Sequence, residues 1–560
     1  MGVLVISATG SEPSFGAIQD ALGYHTVPLT TWIATEKPGQ LTPDTLFTAC
    51  VGKYQGVILT TGSLAYWDGS TWRSALSPAE WQTLRAYEAN FHVREISWYV
   101  FPSADQGLGP PSPPDGVNTT TSPINGTLTA AGQAVFPYVN AANPITITGA
   151  WAYQARATGA GVTPLLVDSA GNALVSSRVN SDGRETIALT FDSNQWLIHD
   201  LILAHGLVEW VTSGIYVGEF RAYSEPQIDD LFLDNDIYGG GPFRMTVSDF
   251  NNIRSWQAAQ KLNVGQDFRL AWAFNGYGAS DGDPLTIAVA DFNGEFQMIS
   301  HTWDHTNLDG MSYDNAFIEF DKNDKFARID EAYQNYSTMN LVTPEVSGLT
   351  TPDVMRAAWT VGIRYVVSDT SQPDGDNPTP NTGRYNSSGI LQIPRKPTNL
   401  YYNVSTPAEW TAEYNARYQS NLTYEEILDK ESQNLLIYLL QGNIDPTMYH
   451  QPNARAYDGV HSLLGDLHDM AFAKFRTHST LPVMSPDMHV AGARMANTKA
   501  RNDARVVATM TPGVSVSFSS PVTVEFAVSG LCTSGCENYA GKCITNVTVG
   551  AGQTVTFPLN

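Results

Sequence analysis

Positive charge is what this chain has least of: 31 Lys and Arg residues stand against 55 Asp and Glu, a formal net charge of −24. That balance excludes a nucleic-acid partner, whose phosphates demand a basic surface. It suits a polycationic or neutral partner, and it is also the ordinary acidity of many extracellular proteins. Charge of either sign is scarce, at 15% of residues, while 46 Gly and 32 Pro mark many turns. No apolar run reaches the roughly eighteen residues of a membrane helix; Leu435–Leu440 falls far short, so no membrane span is expected. Only four cysteines occur. Cys532, Cys536 and Cys543 crowd the C-terminal end and Cys50 stands alone, a spacing that fits no paired CxxC zinc site and is expected to give one or two disulfides. GxGxxG, P-loop and Cys-His nucleophile patterns are missing. So is a basic leader: Gly2–Ala8 reads as a buried strand, as expected of a mature fragment with an added Met1.

What is present is ample core-forming material, 42% hydrophobic and 11% aromatic over 560 residues, enough for more than one domain. Seven Asn-X-Ser/Thr sequons, at Asn118, Asn125, Asn335, Asn386, Asn403, Asn421 and Asn546, point as a set to a secretory pathway and hence to a secreted, extracellular protein. Residues 1–213 alternate strand and helix signals and are expected to form a Rossmann- or flavodoxin-like α/β region. A Thr-, Asn-, Gly- and Pro-rich β insertion interrupts it at about 110–155. Gly10 and Gly62 fall at strand ends, where such sheets bind ligands, although a structural role fits them as well. Residues 214–490 repeat β then α, with reactive residues just past strand ends, which describes a barrel with its site at the C-terminal mouth. Residues 503–560 are strictly β and read as a small sandwich-type unit. The fold class is therefore multidomain α/β.

The chemistry concentrates at His301-Thr302-Trp303-Asp304-His305 and Asp229-Asp230. Two imidazoles four apart and one carboxylate from a distant strand make a minimal ligand set for a divalent metal, with a position open for water. Zn2+ suits these donors, as do Co2+ and Ni2+. A second carboxylate and a later histidine, His450, would supply a base and an acid. Each piece alone has an ordinary explanation: chance HxxxH pairs, paired aspartates at a helix N-cap, a half-buried histidine. Their conjunction at strand ends of one β/α region points to a metal-dependent hydrolase. Trp303 and Tyr449 are candidates for a sugar-facing wall, with core packing the alternative.

These motifs resemble the NodB-like polysaccharide deacetylases, carbohydrate esterase family 4 and its relatives. Gln227-Ile228-Asp229-Asp230 stands where the family has Thr-Phe-Asp-Asp, His301–His305 matches His-Ser/Thr-x-x-His, and Met448-Tyr449-His450 matches Leu-x-His. The resemblance implies a distorted (β/α) barrel, Asp229 as catalytic base, Asp230, His301 and His305 as metal ligands, and His450 as general acid. The family's Arg-x-x-Pro aligns with Leu341–Glu345, where the arginine is absent. Arg395 either replaces it from another strand or contacts substrate, or the base is oriented differently. Over most of its length the chain is similar to secreted fungal galactosaminogalactan deacetylases. That implies an N-acetylated polysaccharide substrate, N-acetylgalactosamine within a biofilm polymer, and an associated carbohydrate-binding module that could include the C-terminal β segment. Rival readings keep the chemistry on chitin, exopolysaccharide or peptidoglycan, make the chain an inactive glycan-binding protein, or make it a glycoside hydrolase. The oligomeric state is left open.

Overall fold

Apolar β-branched runs such as Val3–Ser7 and Gly56–Leu59, buried along their whole length, are central strands by composition. In the computed structural model, which describes residues 1–372 and 379–559, they are interior strands of a nine-stranded mixed sheet. Leu29–Ile33, Val3–Ser7, Gly56–Leu59, Arg94–Ser97 and Glu185–Leu189 run parallel in that spatial order. Ala173–Val179, Val162–Asp168, Ile124–Leu128 and Ile145–Ile147 continue the sheet antiparallel. The segment expected as an insertion thus supplies two strands of the main sheet itself.

The chain divides into two units. The first comprises Met1–Phe220, Thr477–Thr480 and Ala500–Asn560; the second comprises Arg221–Arg476 and Leu481–Lys499. Within the first, the C-terminal strands form two small antiparallel sheets around Val516, Phe518, Phe526, Val528 and Val547. Tyr216–Val217 pairs with Val524–Ser529, and one disulfide, Cys532–Cys543, forms, with Cys50 and Cys536 free. Helix ends follow local chemistry: Ser77 with Glu80, and Thr246 with Asp249, make reciprocal capping boxes.

The second unit is a nine-stranded sheet in the order Arg384–Tyr385, Leu391–Ile393, Tyr365–Val367, Tyr336–Leu341, Gln297–Ser300, Ala271–Phe274, Pro226–Leu231, Thr447–His450, Lys396–Pro397, parallel throughout except for the first pair. Leu391–Ile393 lies near one end of that order and Lys396–Pro397 at the other, yet only Pro394 and Arg395 separate them. Two residues span only about 7 Å even when extended, so the sheet must curl round until its ends almost meet. Arg395 sits in that seam, immediately before Lys396–Pro397 and two strands from Pro226–Leu231 in the sheet order. After Gln297–Ser300 come a helix Tyr313–Lys325, a π turn Phe326–Asp330 and the strand Tyr336–Leu341. No helix among the described residues is long and apolar enough to cross a membrane.

In the first unit two histidines are buried face to face. His25 donates from Nδ1 to the Ala21 carbonyl at 2.6 Å, its Nε2 lies 2.9 Å from His205 Nδ1, and Phe220 stacks on both rings. Burial pushes His25 down to about 4 and His205 well below its ordinary value. The unfolded chain, with ordinary histidine pKa values near 6.5, binds protons between pH 6.5 and 4 that the native protein does not. Stability is therefore full above that window and falls as pH drops through it, by roughly 2 kcal/mol for such a histidine at pH 5. Asp200, pushed up to about 7 by burial, acts in the opposite direction, so the readout is a difference. Urea unfolding at pH 7.5 and pH 5 should show a shallower loss in His25→Gln than in the wild type; equal losses would contradict this assignment.

Candidate active site

Most polar groups of the site come from strand ends on one rim of the curled sheet, with His305 in the loop just beyond one of them. Asp229 and Asp230 lie on Pro226–Leu231, His301 follows Gln297–Ser300, and His450 ends Thr447–His450, which pairs in register with Pro226–Leu231 so that Asp229 lies beside His450. Asp230 takes φ 69°, Phe232 83°, Thr302 67° and His305 65°. Left-handed backbone at non-glycine residues costs energy and persists only where surrounding contacts force it. Here those contacts are visible. Asn275 Nδ2 donates to the carbonyls of His301 and Thr302, and Glu319 accepts from the backbone N–H groups of Trp303 and Asp304 at 3.1 Å.

Asp230, His301 and His305 converge. Asp230 Oδ1 is 3.3 Å from His301 Nε2 and 3.2 Å from His305 Nε2. His301 Nδ1 donates to the Val342 carbonyl at 2.9 Å, which fixes the neutral tautomer with its lone pair on Nε2. A carboxylate oxygen and an imidazole lone pair repel at this distance unless a cation stands between them. Asp230 Oδ1 is buried and accepts no hydrogen bond of good geometry, so the donor set fits a divalent metal. Burial opposes the charge on Asp230; where the imidazoles carry the proton in place of a cation, their hydrogen bonds hold its carboxyl well below the usual range. Burial likewise lowers His305, and Asp230 more than offsets it, leaving His305 raised.

Asp229 is the second carboxylate. Arg395, with no exposed surface, grips it bidentately at 2.8 and 2.6 Å and also donates to the Gln227 carbonyl at 3.2 Å. Burial pushes Asp229 up; the Arg395 charge, then His301 and His450, bring it below its ordinary value. His450 Nε2 is 4.0 Å from Asp229 Oδ2. Burial lowers His450, against the pull of Asp230 and Asp229.

The structure thus brings Asp229, Asp230, His301, His305, His450 and Arg395 together. Arg395 is closed off from any substrate and serves Asp229 instead. Tyr449 is not a wall residue: successive strand residues face opposite ways, so while His450 faces the site Tyr449 is fully buried against His468. Trp303 is half-buried, edge-on to Phe326 and Tyr277 with Lys322 over its ring. Of the sequons, Asn118, Asn125, Asn421 and Asn546 are exposed, whereas Asn335 spends its amide on the Gly294 and Phe296 carbonyls, and Asn386 and Asn403 are half-buried.

Three residues escape the sequence reading. Asn235 donates to Asp230 Oδ2 at 2.7 Å, and Gln451 donates to Asn235 Oδ1 at 2.7 Å and to two carbonyls, so a hydrogen-bonded chain orients the ligand carboxylate. Asn453 accepts from His450 N–H and ties it to Tyr401 and Val404. Gln451 and Asn453 are the polar remainder of the run Tyr449–Asn453, the one signal that could have found them. Asn235 carried none.

Residues 280–471 match the family described as Agd3 deacetylase domain, and residues 1–210 match Agd3 CBM87. Across 100% of this chain and 99% of the other, the fold is that of the crystal structure of Agd3, a novel carbohydrate deacetylase, at 21% identity and TM-score 0.85. A family 4 carbohydrate esterase from Streptomyces lividans in complex with acetate is similar over 48% of this chain and 92% of that one, at 12% identity and TM-score 0.26. The Xyl-CE4 domain of a multidomain xylanase from the hindgut metagenome of Trinervitermes trinervoides is similar over 47% and 87%, at 9% and 0.25. No curated protein matches in sequence. The chain carries a carbohydrate deacetylase domain, and its N-terminal region resembles a carbohydrate-binding module.

Proposed function

We propose that this chain is a secreted, metal-dependent polysaccharide N-deacetylase acting on N-acetylgalactosamine residues of an extracellular galactosaminogalactan. The observation that carries the reading is the pairing, on adjacent strands, of a buried Asp229–Arg395 ion pair with His450, beside three converging metal-ligand atoms. Asp230, His301 and His305 would hold the metal, Zn2+ first by donor chemistry and Co2+ or Ni2+ next. A bound divalent ion supplies Lewis acidity and brings the pKa of water from 15.7 to about 7.

The chain's own residues do the rest. Asp229, kept ionised by Arg395, accepts a proton from the water that attacks the acetamide carbonyl. His450 lies beside Asp229 on the neighbouring strand, and its lowered pKa makes its protonated form a better proton donor than an ordinary imidazolium. It gives its proton to the departing nitrogen as the C–N bond breaks, leaving acetate and a free amine on the sugar. Fixing both groups on neighbouring strands removes the entropic cost of assembling them. The polymer's glycosidic bonds are untouched.

Incubation with N-acetylgalactosamine polymer should release acetate with no change in chain length. Acetate from chitin oligomers alone would keep the reaction and replace the substrate, and shortened chains with acetyl groups retained would contradict the reaction.

A further inference from the structure

Two exposed tyrosines of the second unit stand on the rim that carries the site, one on each side of its acid and base. Parallel strands end on one rim, so the order Gln297–Ser300, Ala271–Phe274, Pro226–Leu231, Thr447–His450, Lys396–Pro397 is also the order of the segments that follow them. Tyr277 lies just past Ala271–Phe274, and Tyr402 just past Lys396–Pro397. The two strands between them carry Asp229, Asp230 and His450.

A lone exposed aromatic is ordinary, but Tyr277, 68% exposed, and Tyr402, 52% exposed, are fastened to the catalytic segments themselves. The Tyr402 ring lies 5.8 Å from that of His450, tilted by 59°. Asn453 accepts from His450 N–H and donates to the carbonyls of Tyr401 and Val404, which flank Tyr402. Tyr238 N–H adds a bond to the Asn403 carbonyl at 2.8 Å. On the other side, Tyr277 N–H donates to the Trp303 carbonyl at 3.0 Å, inside the run His301–His305, and the two rings meet edge-on at 6.4 Å. Gly276 is packed so closely there that a Cβ would meet Trp303 Cζ3 at 2.6 Å. Arg244 completes the clamp. It donates to the carbonyls of Phe232 at 2.8 Å and Gly278 at 3.2 Å while paired to Asp283 at 2.8 Å. Both tyrosines are therefore exposed yet fixed at the backbone, and ordering them on a ligand costs little.

A sugar ring has apolar C–H faces and hydroxyl edges, the counterpart of a tyrosine ring with its polar tip. Attack from a chain end needs such a surface on one side of the reacting sugar only. Surfaces on both sides suit a chain that passes through the site, its reacting sugar held between two neighbours. We propose that the deacetylase attacks internal residues of its polymer, with Tyr402 binding the neighbouring sugar on the His450 side and Tyr277 the neighbour on the side of the His301–His305 run. This mode of attack rests on the deacetylase reading above and adds to it which residues of the polymer are substrate.

The test uses the full zinc-loaded chain and an N-acetylgalactosamine hexasaccharide labelled at its reducing end. Tandem mass spectrometry reads the first position deacetylated, which in the wild type should be internal. Each tyrosine favours reacting sugars that have a neighbour on its own side. Tyr402→Ala should therefore move the first position towards one chain end and Tyr277→Ala towards the other, with KM up about tenfold in each and kcat within a few-fold of wild type. Tyr385→Ala, at an exposed tyrosine on the strand at the far end of the sheet order, should alter neither. A wild type confined to a terminal residue, unchanged positions in both variants, or a shift of both to the same end would overturn the proposal. If no glycan yields acetate, calorimetric titration with the same hexasaccharide decides. Lower affinity in both Tyr402→Ala and Tyr277→Ala would support the flanking sites and defeat the deacetylase reading, and unaltered affinity would overturn the flanking sites as well.

Discussion

Asp229→Asn is expected to lower acetate release by a factor of about 10² to 10⁴, the usual contribution of a positioned general base. The substitution is nearly isosteric, and an amide can still receive one hydrogen bond from Arg395 while losing the charge that accepts a proton. Asp230, His301 and His305 are untouched, so metal content should equal that of the wild type. Rates in single-turnover acetate assays, read beside metal analysis of the same sample, separate the two effects. A rate within a few-fold of wild type at full metal occupancy would remove Asp229 from the chemistry.

Arg395→Ala should be the most damaging change to both fold and rate among residues that never touch substrate. It leaves a carboxylate with 5% side-chain exposure without its partner. Breaking one side of a buried pair costs about 3–5 kcal/mol. It also removes the guanidinium's bond to the Gln227 carbonyl, which ties the Pro394-Arg395 connection to Pro226–Leu231. Arg395→Lys separates positioning from packing. Lysine keeps a charge but not the two parallel bonds, so kcat should recover in part while KM stays near that of the wild type. Thermal unfolding and kcat measured on both variants check this. A lysine variant as slow as the alanine variant but fully stable would mean that Arg395 acts by geometry alone.

The parts legible in the sequence were those with a local signal. Strand ends carrying Asp229, His301 and His450 follow from short apolar runs stopped by polar residues, and the β-after-α repeat of 214–490 follows from periodicity. What the sequence hid is non-local. The antiparallel half of the first sheet gives no local sign that it joins the parallel half, since pairing of Glu185–Leu189 with Arg94–Ser97 is a choice of partner and not of propensity. Asp229 and Arg395 meet across 166 residues because the sheet places Lys396–Pro397, next to Arg395, two strands from Pro226–Leu231. Tyr449 was misplaced for a different reason: the period of two already puts it on the face opposite His450, and its aromatic character outweighed that geometry. Asn235 could not be read at all, because a lone asparagine five residues past Asp230, in a two-residue strand, has no distinguishing pattern.

The Asp230, His301 and His305 cluster is proposed to bind a divalent metal that the deacetylation requires. The direct measurement is acetate release by chelator-treated protein, back-titrated with Zn2+, for the wild type and for His301→Ala. The expected result is no acetate after chelation, recovery at one metal per chain in the wild type, and no recovery in the variant at the same metal concentration. Full acetate release from thoroughly chelated protein, or full recovery in His301→Ala, would contradict it.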